Sequence, residues 1–83
     1  MSFTIRVQLF AVARQLAGQE SVSVQMPEGA TVADLRRELA VQQPPLAGIV
    51  AHLNFAVDAS YAGESSPITE NAEVACIPPV SGG

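Results

Sequence analysis

Eighty-three residues, 48% of them hydrophobic and 14% charged, make one small domain: too short for a second core, too apolar for a disordered tail, and too interrupted by proline and glycine to span a membrane. Eight acidic residues against four basic ones give a formal charge of −4, the wrong sign for a protein that neutralises a phosphate backbone, so no nucleic-acid partner is expected. One cysteine and one histidine exclude an internal disulfide and a four-ligand zinc site, and no metal is expected. The first ten residues alternate in polarity rather than forming a charged stretch followed by an apolar one, so the expected location is the cytoplasm, away from any membrane.

Phe3, Ile5, Val7 and Leu9 alternate with Thr4, Arg6 and Gln8, the period of a strand with one face on a core and one toward water. From Ala11 the residues are mostly good helix formers, and Gly18 stands where a left-handed C-terminal cap would close two turns of helix. Val22, Val24 and Met26 restore the alternation over 20–26, and Pro27-Glu28-Gly29 stops it. Thr31 then precedes Val32-Ala33-Asp34-Leu35, so its hydroxyl can cap a helix while Asp34 complements the positive helix end. Val32, Leu35 and Leu39 form the apolar stripe of this main helix, Arg36, Arg37 and Glu38 are expected to face water, and Pro44-Pro45 ends it.

Residues 50–57, interrupted by His52 and Asn54, hold a strand in their second half, and Tyr61-Ala62-Gly63 could add a short one. Thr69-Glu70-Asn71-Ala72 reads as a turn in which Asn71 can accept a positive φ. The last strand, 73–77, is apolar on both faces, with Val74 and Cys76 on one and Ala75 and Ile77 on the other; such a strand is central or covered by a partner. The expectation is an α+β fold in the β-grasp layout: a mixed sheet of four or five strands, one main helix on one face and a short second helix. Its expected core is Ile5, Val7, Leu9, Val22, Val24, Val32, Leu35, Leu39 and Val74.

No serine–histidine–aspartate motif, phosphate-binding loop or dinucleotide fingerprint is present. The chemistry-bearing feature is the ending, Pro78-Pro79-Val80-Ser81-Gly82-Gly83, which divides the chain into a domain at 1–77 and an extended tail at 78–83. Two prolines fix φ and withdraw two backbone donors from the sheet, so the chain leaves as a stiff stem. Two terminal glycines carry no Cβ and can thread a channel too narrow for other residues. Composition alone is equally consistent with an ordinary frayed chain end.

The chain resembles the small, ubiquitin-like subunit family of molybdopterin synthase. The matching residues are Leu9-Phe10-Ala11 with Arg14 and Gly18; Pro27 to Gly29 followed by Thr31-Val32-Ala33-Asp34-Leu35; Ala56-Val57; the turn and strand at 68–75; and above all the Pro-Pro-Val-Ser-Gly-Gly ending. Asp58 stands where the family often has Asn, Asn71-Ala72 where Gly-Asp is common, and 42–54 carries no informative match.

The resemblance implies a sulfur carrier, a donor subunit without an active site of its own. Gly83 would be adenylated by an E1-like activating enzyme that uses ATP, converted to a thiocarboxylate, and threaded through Gly82, Ser81, Val80, Pro79 and Pro78 into a large subunit. There its sulfur would pass to cyclic pyranopterin monophosphate, in a heterotetramer of two small and two large subunits. No cofactor is expected on this chain itself. Phe10, Arg14, Tyr61 and Ile77 are the expected partner contacts, with Phe10 on the polar phase of the first strand. The alternative keeps the fold and changes the customer: a carrier for thiamin, tRNA thiolation or cysteine synthesis, or a ubiquitin-like modifier joined through Gly83 to lysines. The chain itself has no lysine, which suits an amine-sensitive activated terminus but follows equally from coding bias. Cys76 reads as a packing residue, His52 as a loop histidine, and Arg36-Arg37 as a solvated helix face.

Overall fold

The alternating first segment folds as β1 (Ser2–Leu9), with Ile5, Val7 and Leu9 buried and the intervening polar residues exposed. It is followed by α1 (Ala11–Ala17), β2 (Ser21–Pro27) and α2 (Val32–Gln42), then by two short 3-10 turns at Pro44–Leu46 and Val50–His52. β3 (Asn54–Val57), β4 (Ser60–Ala62) and β5 (Val74–Ile77) complete a five-stranded sheet in the order β2-β1-β5-β3-β4. This computed structural model describes residues 1–79. β5 runs parallel to β1 and antiparallel to β3, while the β1–β2 and β3–β4 pairs are antiparallel. The result is the mixed β-grasp sheet expected from the pattern of elements, and the strand with two apolar faces is central.

α1 closes as its glycine predicts: Gly18 has φ +70°, and its N–H donates to the Arg14 carbonyl at 2.9 Å. α2 starts at Thr31, where the Asp34 carboxylate accepts the Thr31 N–H at 2.9 Å and the hydroxyl at 3.2 Å. These contacts hold the Asp34 carboxyl below its ordinary range, the backbone N–H first among the causes. Val32, Leu35 and Leu39 of α2 are buried, as is every other residue of the expected core. Leu46, Leu53, Phe55, Ile68 and Met26 enlarge it, so the first 3-10 turn, through Leu46, and Leu53 just after the second add core that their sequence did not advertise. Among the described residues no helix is long and apolar enough to cross a membrane.

Three expectations are corrected. Phe10 does not continue the polar phase of the first strand; that strand stops at Leu9, and Phe10 is the extended residue before α1, half exposed. The turn around Asn71 forms, with the Ala72 N–H on the Thr69 carbonyl at 3.0 Å, but Asn71 has no positive φ. The left-handed pair is instead Asp58 (φ +52°) and Ala59 (φ +69°), which make the tight β3–β4 turn. Finally, Arg36 is not a water-facing residue. Its side chain is 22% exposed, and its guanidinium donates to the carbonyls of Val50 and Leu53, pairs with Glu64, and lies 5.2 Å from the centre of the Phe55 ring. Only Arg37, paired with Asp34, fits the expected exposed face.

Candidate functional site

The site begins with the position of β5. Val7 pairs with Val74 and Leu9 with Cys76 on one side, while Asn54 pairs with Ile77 and Phe55 with Cys76 on the other. The strand that delivers the chain to Pro78 and Pro79 is therefore paired on both edges through Cys76 and on its β3 edge to its last residue, Ile77, and the stem starts from the middle of the sheet. Pro78 is half-buried and Pro79 exposed. Val80, Ser81, Gly82 and Gly83 lie outside the described residues.

Strand alternation assigns the two faces of the sheet. Val74 and Cys76 point to the core under α2, and Ala75 and Ile77 to the opposite face. On that open face Tyr61 pairs with Ala56, Ala56 with Ala75, and Ala75 with Gln8. Small alanines thus form a floor between Tyr61, which is 74% exposed, and the β1 side. Ile77 shares the face one position toward the stem, beside Asn54. The β1–β2 half of the same face is polar, carrying Thr4, Arg6, Gln8, Ser23 and Gln25, with the Arg6 Nε donating to the Ser21 hydroxyl at 3.1 Å. The open face is divided: apolar near the stem, hydrophilic away from it.

Of the four expected contact residues, Tyr61 and Ile77 share this face. Phe10 follows Leu9, whose partner on β5 is Cys76, so it leaves the sheet beside the start of the stem. Arg14, on α1, is exposed and ion-paired with Glu20 at 3.1 Å. Two exposed apolar residues of α1 next to them, Val12 and Leu16, went unnoticed in the sequence, although their spacing of four on a short helix was a visible signal.

Cys76 is fully buried, and burial pushes its thiol up to about 11, with Arg36 pulling weakly the other way. A thiol so placed is a packing group and a poor nucleophile. His52 is exposed in the second 3-10 turn. Among the described residues no group of three or more His, Cys, Asp or Glu side chains is placed to hold a metal ion.

A five-stranded β-grasp sheet with a helix across one face, an open second face and a proline stem leaving the central strand defines a ubiquitin-like domain. Residues 7–83 match the ThiS family model, and the chain belongs to that family. It is 35% identical over 82 residues to the molybdopterin synthase sulfur carrier subunit of Arabidopsis thaliana, covering 99% of this chain and 85% of the relative. Among solved structures it is similar to small archaeal modifier protein 1 of Haloferax volcanii, with a TM-score of 0.82 and 26% identity over 94% of this chain and 99% of that one. A putative molybdopterin converting factor subunit 1 from Pyrococcus furiosus superposes with a TM-score of 0.80 at 29% identity, covering 94% and 99% of the two chains.

Proposed function

We propose that this chain is the sulfur carrier subunit of a molybdopterin synthase, with the carboxyl of Gly83 as the carried group. The observation that carries the reading is the anchored central strand β5 running into Pro78-Pro79 and on to a Gly-Gly ending, in a chain similar along its length to carrier subunits. A carboxylate is a poor electrophile. An E1-like enzyme converts it with ATP to an acyl adenylate, releasing pyrophosphate; sulfur from a donor then displaces AMP and leaves the thiocarboxylate. The tail delivers that sulfur to cyclic pyranopterin monophosphate inside a large subunit, in an assembly of two small and two large subunits. Tethering replaces diffusion of free sulfide, and the large subunit supplies positioning and charge stabilisation. The described part of this chain contributes no activated nucleophile, since its one thiol is buried. The large subunit covers the apolar half of the open face, Tyr61 and Ile77, with Phe10 and Arg14 at the border.

The test is removal of Gly83. With activating enzyme, ATP and a sulfur donor, the intact chain should gain the mass of one oxygen-to-sulfur exchange and support dithiolene formation. The truncated chain, its carboxyl drawn back by about 3.5 Å, should fold normally and support none. Product formation at the normal rate by the truncated chain overturns the reading. A second reading, a protein modifier, is favoured by the likeness to the archaeal modifier; it predicts amide-linked adducts on lysines of other proteins when the activated chain is offered them.

A further inference from the structure

We propose that Gln42 closes the β2 edge of the sheet against pairing with a second copy of this chain. β2 is an edge strand of seven residues, Ser-Val-Ser-Val-Gln-Met-Pro, without a single charge. Such an edge is a template for strand addition unless something blocks it. The opposite edge is protected by brevity, since β4 has three residues; β2 needs another device.

The backbone direction is settled by two bonds. The Glu20 carbonyl accepts the Leu9 N–H at 2.8 Å and the Glu28 N–H donates to the Met1 carbonyl at 3.0 Å, so the even-numbered residues of this segment face β1. The odd-numbered ones, Ser21, Ser23, Gln25 and Pro27, turn their backbone groups outward. Pro27 has no N–H to offer. At Gln25 the Gln42 side chain, from the last turn of α2, takes both positions: its Oε1 accepts the Gln25 N–H at 2.9 Å, and its Nε2 donates to the Gln25 carbonyl at 2.9 Å. The second Nε2 proton goes to Glu38 Oε1 at 2.8 Å, one helical turn earlier, which fixes which way the amide faces. One primary amide thus makes the two bonds that a residue of a neighbouring strand would make.

Antiparallel pairing of two β2 strands about a two-fold axis at Ser23 places Ser23 opposite itself and each Ser21 opposite the other copy's Gln25. Gln42 withholds both Gln25 positions. Only the bonds at Ser23 itself remain, too few to hold two chains together.

Sedimentation velocity and amide exchange on the full chain test this. The parent should be monomeric over the accessible concentration range with a protected Gln25 amide. Gln42→Ala, and Gln42→Met, which keeps side-chain length and helix propensity, should expose that amide by tenfold or more in dilute solution. Both should also form a dimer whose fraction rises with concentration. Adding Ser23→Pro, which removes an outward donor and no bond to β1, should return Gln42→Ala to a monomer. A parent that already dimerises through β2, folded Gln42 variants that stay monomeric at every concentration, or a dimer that survives Ser23→Pro would each overturn the proposal.

Discussion

Asp58 and Glu73 are bonded to each other twice: the Asp58 N–H donates to the Glu73 carbonyl at 2.8 Å, and Asp58 Oδ1 accepts the Glu73 N–H at 3.0 Å. The first left-handed residue of the β3–β4 turn is thereby tied to the residue that leads into β5, and Val74 enters the sheet opposite Val57. Asp58→Ala should cost about 1–2 kcal/mol, because the Glu73 N–H loses its acceptor and alanine tolerates a positive φ poorly. Asp58→Asn, which keeps the Oδ1 acceptor, should cost about half as much or less. Urea unfolding of the three proteins distinguishes these outcomes.

Arg36 joins α2 to the second 3-10 turn and to β3. Arg36→Met removes the guanidinium from the Phe55 ring and leaves the Val50 and Leu53 carbonyls without their donor, and should lower stability by about 2–3 kcal/mol. Arg36→Lys should recover little of this, since one ammonium cannot reproduce a planar fork bonded to two carbonyls and a carboxylate. Amide exchange should accelerate first around 50–53.

Cys76 makes a prediction about alkaline pH. Its thiol is raised from the usual 9.0 to about 11 by burial, so between those values the unfolded chain releases a proton that the folded chain retains. Stability is therefore complete below about pH 9 and declines as pH rises toward 11. Cys76→Ala should flatten this part of the pH profile, at the expense of lower stability throughout. In the native protein an alkylating reagent at pH 8 should leave the thiol unmodified until denaturant is added.

Ile77→Asp places a charge on the apolar half of the open face, next to the stem. It should leave the melting temperature within a few degrees of the parent's, because Ile77 is only half-buried, and weaken the complex with a large subunit by tenfold or more. Titration calorimetry reads the second effect. Unaltered affinity would remove Ile77 from the contact.

What could be read in advance followed from periodicity. Ile5, Val7 and Leu9 announce a strand, Val32, Leu35 and Leu39 a helix stripe, and the two-faced apolarity of 74–77 a central strand; each signal is local and survives folding unchanged. The role of Arg36 is not legible in this way, for the opposite reason. Its partners, the carbonyls of Val50 and Leu53, are backbone groups in a segment without periodic pattern, and no side-chain identity marks them. The preference of asparagine for the left-handed conformation points to Asn71, whereas tertiary pairing of β3 with β4 imposes it on Ala59, a residue with no such preference. Nothing in the identity of Gln42, a polar residue near a helix end, marks its role, which depends on β2 lying beside it. Of the tail, composition conveyed the stiff stem and the two glycines, and the fold adds where the stem is rooted.

The parallel pairing of β1 and β5 also sets where this molecule can be held. Leu9 lies beside Cys76 near the stem, and Ser2 is about 23 Å away along β1, at the far end of the sheet. Met1 is fully exposed there. A dye, affinity handle or solid support joined ahead of Met1 is therefore carried on the pole opposite Pro78, and an immobilised chain presents its proline stem to solution rather than to the matrix.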